Sequence, residues 1–505
     1  MVNRGAVPVL GSLAYARTYS ADSPQREQGP RRGVSLPAGR ESEIAKRCNL
    51  FVRFRLATAK SHLLGASMFS SGQRQQWLST ARLVHSIFTL AMFLFMVRPL
   101  AAQGAPEGLW NAVVVVGPAE IPFQFEIRHE GDQWEGFFFE GNKKIGSTSG
   151  SYAAGTLRLN YEFLNSTLTA AFEGDHWDGT YRYNRKNGKE YPLHAHRYVT
   201  AGPAPSDPPQ VAGEWEMKLV GDNGVVTKDP RHAPSWKLFL RQSGGDVTGS
   251  ILRVDGDTGT LTGHWQHDSL VLSHFVGERP VLFEAKLQPD GTLDILLNNQ
   301  SRYLAARTSD ARSKGIPEPP NPFQYTSVKN PSEPFHFRFP DINGRIVSDA
   351  DGQFKNKVVI LAIGGTWCPN CRDEAPLLVE LYQKFHDQGL EIVGLNFEAS
   401  GNLADDKPRV ESFIEEFSVP YPILYVGTIG EVTEKLPQIE NFGAYPTTIY
   451  LGRDGLVASI HAGFASSATG EAHNDLERDV TGLLQRLLNE KVNGPTAQAQ
   501  QAPVP

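Results

Sequence analysis

Trp367-Cys368-Pro369-Asn370-Cys371 holds two of the three cysteines in a chain of 505 residues. An apolar run from Val358 to Ile363 precedes it, and Leu377, Leu378, Leu381 and Phe385 follow at helical spacing. A Cys-x-x-Cys between a strand and a helix sets the first sulfur at the helix N-terminus. The unpaired N–H groups and the positive dipole end there favour thiolate over thiol. Thiolate is the nucleophile of disulfide exchange, and the second sulfur lies about one turn further on. A structural zinc site needs four ligands, and no second Cys-x-x-Cys or matching His pair follows. A disulfide closing so short a loop stabilises little. The motif therefore reads as a redox pair.

Working outward, Leu390 to Phe397 reads as a buried strand and Pro408 to Phe417 as an amphipathic helix. Tyr445-Pro446-Thr447-Thr448-Ile449-Tyr450-Leu451 and the turn Arg453-Asp454-Gly455 come next, and a helix from Leu476 to Leu488 closes the unit. With Phe335-His336-Phe337 and Asp341-Ile342-Asn343-Gly344 as an opening hairpin, residues 335–490 resemble the TlpA/ResA-like thiol–disulfide oxidoreductases of the thioredoxin superfamily. The resemblance implies an α/β fold with a central mixed sheet flanked by helices. The alternation of elements fits helices on both faces. It also implies a cis peptide bond before Pro446, facing the cysteines, and a substrate-facing surface at Trp367, Tyr445 and Pro446. Cys368 and Cys371 would form the redox-active disulfide, with no cofactor and no metal.

The sequence departs from ordinary thioredoxins at Ala362, six residues before the first cysteine, where they carry a buried aspartate. Glu374, one turn after Cys371, matches the buried glutamate of the TlpA/ResA-like group. A carboxyl in a partly apolar site has a raised pKa and can manage the proton of the inner thiol. The alternative is a solvent-facing glutamate paired with Arg372. Gly364-Gly365-Thr366 is a second departure, since the family often has aromatics there. A peroxiredoxin-like peroxidase would need a Pro and a Thr ahead of one peroxidatic cysteine; Thr366 is present, and no Pro occupies the turn before it.

The region 105–310 has another character. Phe123-Gln124-Phe125-Glu126-Ile127 and Thr156-Leu157-Arg158-Leu159-Asn160-Tyr161 alternate apolar and polar residues between Gly, Asn and Asp turns, an all-β antiparallel pattern. Gly108-Leu109-Trp110 is echoed by Gly213-Glu214-Trp215, and Leu157-x-Leu159 by Leu270-x-Leu272. We expect a duplicated barrel or sandwich, with repeats at 105–205 and 206–310. His194, His196, His264, His267 and His274 are more readily exposed strand residues than metal ligands. Trp134, Trp177 and Trp265 suit a core or groove. A Pro-rich spacer is expected at 311–334 and a disordered tail at 491–505.

Leu83 to Val97 is strongly apolar, follows Arg74 and Arg82, and leads into Pro99-Leu100-Ala101-Ala102, the shape of a signal peptide within residues 68–104. A retained membrane anchor is the alternative. Residues 1–67, with Cys48, read as an extension ahead of a natural start at Met68. Net charge is −6 and no basic stripe stands out, which gives nucleic acid no support as a partner. These features fit an exported, periplasmic or extracytoplasmic oxidoreductase. Disulfide-containing proteins would be its substrates and a membrane thiol its electron donor. The alternative from another class is a surface binding protein whose β region does the work.

Overall fold

The fold follows from strands whose inward residues are almost all apolar. The protein is described here by a computed structural model covering residues 106–184, 188–200, 202, 205–221 and 234–490. All of these belong to one compact unit. The apolar run Leu83–Val97, Cys48 and the tail from residue 491 lie outside the described residues.

The first β module contains β1 (Gly108–Val116), β2 (Ala119–Glu130), β3 (Gln133–Glu140), β4 (Lys143–Gly146), β5 (Ser149–Ala153), β6 (Thr156–Tyr161), β7 (Ser166–Glu173), β8 (His176–Tyr183) and β9 (Glu190–Arg197). Their order is β4-β3-β2-β1-β9-β8-β7-β6-β5, so the meander curls round until its first and last strands pair. The sheet ends, β4 and β5, adjoin in sequence; Ser147 N–H donates to Gly136 O and Thr148 N–H to Asn160 O between them. Alternate residues Ile121, Phe123, Phe125 and Ile127 of β2 point inward to meet Trp110, Phe138, Trp177 and Tyr181. Each fully buried large apolar side chain contributes about 1.5–3 kcal/mol by leaving water.

The second β module contains β10 (Gly213–Val220), β11 (Trp236–Ser243), β12 (Asp246–Arg253), β13 (Gly256–Asp257), β14 (Leu261–Gln266), β15 (Ser269–His274), β16 (Val281–Leu287), β17 (Leu293–Leu297) and β18 (Ser301–Arg307). β10 pairs with both β11 and β18, and an extra β11–β12 pairing closes the sheet into an antiparallel barrel. Trp215, Met217, Trp265, Phe283 and Ile295 fill it.

The Gly-x-Trp echo has a structural counterpart. Trp110 Nε1 donates to Pro106 O at 2.8 Å, and Trp215 Nε1 to Val211 O at 2.9 Å. Arg197, across the β1–β9 ladder, lies 4.0 Å over the Trp110 ring; Arg307, across β10–β18, lies 4.1 Å over Trp215. Both arginines donate to the backbone just ahead of the first strand, at Glu107 O and Ala212 O. Each module is thus clasped where its ends meet. The modules also dock on one another: Phe275, beyond β15, enters the first core at 4.9 Å from Phe123 and 5.5 Å from Tyr181.

The stretch expected as a spacer is packed. Ile316 is buried with Ala306 and Ala311, and Ser235 Oγ donates to Pro317 O at 2.6 Å. Pro322–Tyr325 forms a short helix capped by Asn321. The C-terminal sheet runs Ile423–Thr428, Leu390–Glu398, Val358–Gly364, Thr447–Leu451, Val457–Ala462. The first three strands are parallel and the last two antiparallel, a mixed sheet. Its helices depart from the expectation of covering both faces. Pro369–Phe385, Leu403–Phe417 and Glu471–Asn489 all contribute to the core over Val358, Ile360 and Ile392. The other face, with Val359, Leu361 and Leu395, is covered by Phe335, Phe337, Val347 and Phe354 and by the short helix Val432–Lys435. Aromatic loop residues supply there the apolar area that a long helix would otherwise provide.

Candidate redox site

Strand Val358–Gly364 delivers the chain to a turn from which helix Pro369–Phe385 departs. Cys368 is the N-cap residue, and Pro369 opens the helix, where its missing N–H costs nothing. The Cys371 N–H points at Cys368 Sγ, 3.2 Å away. One sulfur therefore sits on the electropositive helix end, with the other a turn behind it. Cys368 and Cys371 are joined as a disulfide, with Cα atoms 5.3 Å apart.

The Tyr445–Pro446 bond is cis, and Pro446 is buried at the head of strand Thr447–Leu451. Trp367 and Tyr445 make a half-buried aromatic wall, ring centroids 5.1 Å apart. Trp367 Nε1 donates to Phe397 O at 2.7 Å, and Tyr445 Oη to Ile429 O at 2.5 Å. The indole fits because residue 365 has no side chain: a Cβ there would run into Trp367 Nε1 and lie 2.5 Å from Phe397 O.

Glu374 is 5 % exposed and lines the same small pocket as Cys371, Ala362 and Asn396. Burial pushes its carboxyl up to about 7, against a partly offsetting hydrogen bond from Thr448 Oγ1 at 2.5 Å. Arg372 instead holds Glu416 through a two-point contact of 2.8 and 2.7 Å, so the arginine neighbour is engaged elsewhere. The site thus brings together all six residues singled out in the sequence.

Sequence reasoning missed Glu398. It is fully buried at the end of strand Leu390–Glu398 and accepts from Thr366 N–H at 3.0 Å, Thr366 Oγ1 at 2.8 Å and Asn396 Nδ2 at 3.1 Å. Burial raises its pKa above the ordinary carboxylate value. It pins the turn ahead of Cys368, and the only clue in the sequence is an acid ending an apolar strand.

The histidines do not gather. His194 faces Asp178 at 2.6 Å, whereas His274 is buried beside Glu140. Among the described residues no group of three or more His, Cys, Asp or Glu side chains is arranged to hold a metal. Trp177 and Trp265 are core residues, and Trp134 stacks on His129 at 4.1 Å.

Residues 333–460 match the AhpC/TSA family. The thiol-disulfide oxidoreductase ResA of Geobacillus thermodenitrificans is 32 % identical over 127 residues, 23 % of this chain and 65 % of that relative. ResA of Geobacillus kaustophilus is 31 % identical, covering 24 % of this chain and 63 % of the relative. ResA of Bacillus subtilis is 27 % identical over 27 % of this chain and 69 % of the relative. The chain thus spans a little under two thirds of the length of the two Geobacillus relatives. Among solved structures, a thiol:disulfide interchange protein of Chlorobium tepidum is 21 % identical with a TM-score of 0.25, covering 32 % of this chain and 99 % of that one.

Proposed function

We propose that this chain, whose C-terminal domain is a TlpA/ResA-like member of the thioredoxin superfamily, is a thiol–disulfide oxidoreductase acting on disulfide-bearing proteins outside the cytoplasm. The observation that carries the reading is Cys368 capping the helix with Cys371 bonded one turn behind. In the dithiol form the Cys368 thiolate attacks one substrate sulfur. The substrate S–S bond breaks and its other sulfur leaves as thiolate. Cys371 then gives its proton to the Glu374 carboxylate and attacks Cys368 Sγ, releasing the second substrate sulfur. Two electrons pass to the substrate, and an external dithiol, such as a membrane thiol donor, reloads the pair.

A peroxidase is disfavoured because no Pro occupies the turn before Thr366, whose hydroxyl proton is donated to Glu398. Export rests on the apolar run Leu83–Val97 and on the relatives' kind; among the described residues no helix is long and apolar enough to cross a membrane. Turnover of a protein disulfide by the whole chain, with a dithiol as electron source, tests the function. Cleavage above the uncatalysed rate is expected; cleavage that survives loss of both cysteines would sink it. A reduction potential near the thioredoxin value of about −270 mV marks a reductant, and one near −120 mV an oxidant.

A further inference from the structure

The tight hairpin joining β12 to β13, Arg253-Val254-Asp255-Gly256, leaves the second barrel and ends in the redox site. Asn370 Nδ2, from the dithiol loop, donates to Asp255 O at 2.8 Å. On the opposite wall, Gly463 N–H donates to Pro446 O at 2.7 Å, and a Cβ on Gly463 would run into the Val254 carbonyl. A Cβ on Gly256 would run into the Asn370 side chain. Both glycines have positive φ, +123° and +72°, so hairpin and wall are each shaped for this close approach. The tip therefore bridges the Cys-x-x-Cys loop and the cis-proline segment. A substrate backbone would have to cross there to pair beside Tyr445. Cys368 is left 3 % exposed and Cys371 8 %.

Three residues of the second β module tie it to the redox domain around the hairpin. Arg279, on the β15–β16 connection, donates through Nη1 to Asn370 Oδ1 at 3.0 Å and to Asp373 Oδ2 at 2.8 Å. Asp257, fully buried, accepts from Ser466 N–H at 2.6 Å. Arg241 Nη1 donates to Ala468 O at 3.1 Å. Exchange requires an incoming thiolate to reach a disulfide sulfur, and burial of both cysteines narrows that approach.

We propose that the Arg253–Gly256 hairpin of the second barrel is a gate seated on the dithiol site, with Arg279 as its latch, so that the second barrel decides which disulfides reach Cys368. A rigid, folded partner is excluded while the gate is shut. A flexible segment able to take the hairpin's place between Asn370 and Gly463 exchanges with Cys368. The proposal rests on the cysteine pair being the reacting group.

The test reads access directly, as the rate at which dithiothreitol reduces the Cys368–Cys371 disulfide in the full chain, quenched with a thiol-trapping reagent. Arg279→Ala and Asp373→Asn each remove one side of a charge-assisted contact, and each should speed reduction by roughly tenfold. The double variant should add little, because both changes break the same contact. Equal rates in the wild type and both variants, with unchanged melting, would overturn the gate. That outcome would leave protein-disulfide turnover to judge the oxidoreductase reading. Should either variant lose its fold, hydrogen exchange on the wild type decides. Amides of residues 255–257 and Ser466 must then exchange faster than those of β14–β17, and equal protection overturns the proposal.

Discussion

In the first β module Trp110 lies beneath Arg197; in the second, a closed barrel, Trp215 lies beneath Arg307, with nearly the same separation and the same backbone bonds. Beyond that clasp the two differ. The first module touches the redox domain through Phe163, whose ring lies 4.5 Å from the Arg372 guanidinium. The second reaches the dithiol loop itself through Asp255 and Arg279. Closure of a β meander depends on inward apolar residues and on the join between first and last strands. The loops are free to diverge, and here the second module's loops end on the Cys-x-x-Cys loop.

The largest expected effect comes from cutting the clasps. Trp110→Ala and Trp215→Ala each leave a large void in a module core and should cost about 3–5 kcal/mol, read by urea unfolding. Below the unfolding midpoint, only Trp215→Ala should also speed dithiothreitol reduction of the Cys368–Cys371 pair. Equal acceleration by the two variants would break the distinction between the modules.

Glu374→Gln comes next. It keeps shape and hydrogen bonding but removes the titration, and turnover should fall by roughly tenfold to a hundredfold. The wild-type pH–rate profile should show a step near the carboxyl value of about 7, absent from the variant. Stability carries its own sign. The folded carboxyl is raised from 4.5 to about 7, so its contribution is present below pH 4.5 and is lost as pH rises through 7. The Gln variant should lose that slope; an unchanged slope and profile would place Glu374 outside the chemistry.

The smallest effect belongs to the arginines of the clasps. Arg197→Ala and Arg307→Ala should each cost about 0.5–1 kcal/mol, the worth of a cation–π contact near the surface. Matching losses would sharpen the likeness between the modules, and a loss in one alone would break it.

Much of the redox site is visible in the sequence because its signals are local. The Cys-x-x-Cys sits between an apolar run and a helical pattern, Glu374 lies one turn past Cys371, and Pro446 heads a run of strand formers. The strand Val358–Gly364 could be read because it is buried on both faces and so is continuously apolar, and Leu390–Glu398 because Leu390, Ile392, Val393, Leu395 and Phe397 keep it largely so. What escaped depends on distant pairings. The Gly-x-Trp echo shows in the sequence, whereas its partners Arg197 and Arg307 are set by barrel closure. Glu398 looks like the polar end of a strand until Thr366 folds back onto it. Arg279 and Asp255 carry no motif at all, since their role arises where a loop of one domain meets another.

Trapping of the mixed disulfide tests the central claim most directly. With Cys371→Ser, a substrate protein disulfide should accumulate as a covalent adduct on Cys368, because the resolving sulfur is gone; with Cys368→Ser almost none should form. Equal trapping by the two variants, or trapping mainly through Cys371, would contradict the assignment of Cys368 as the attacking sulfur.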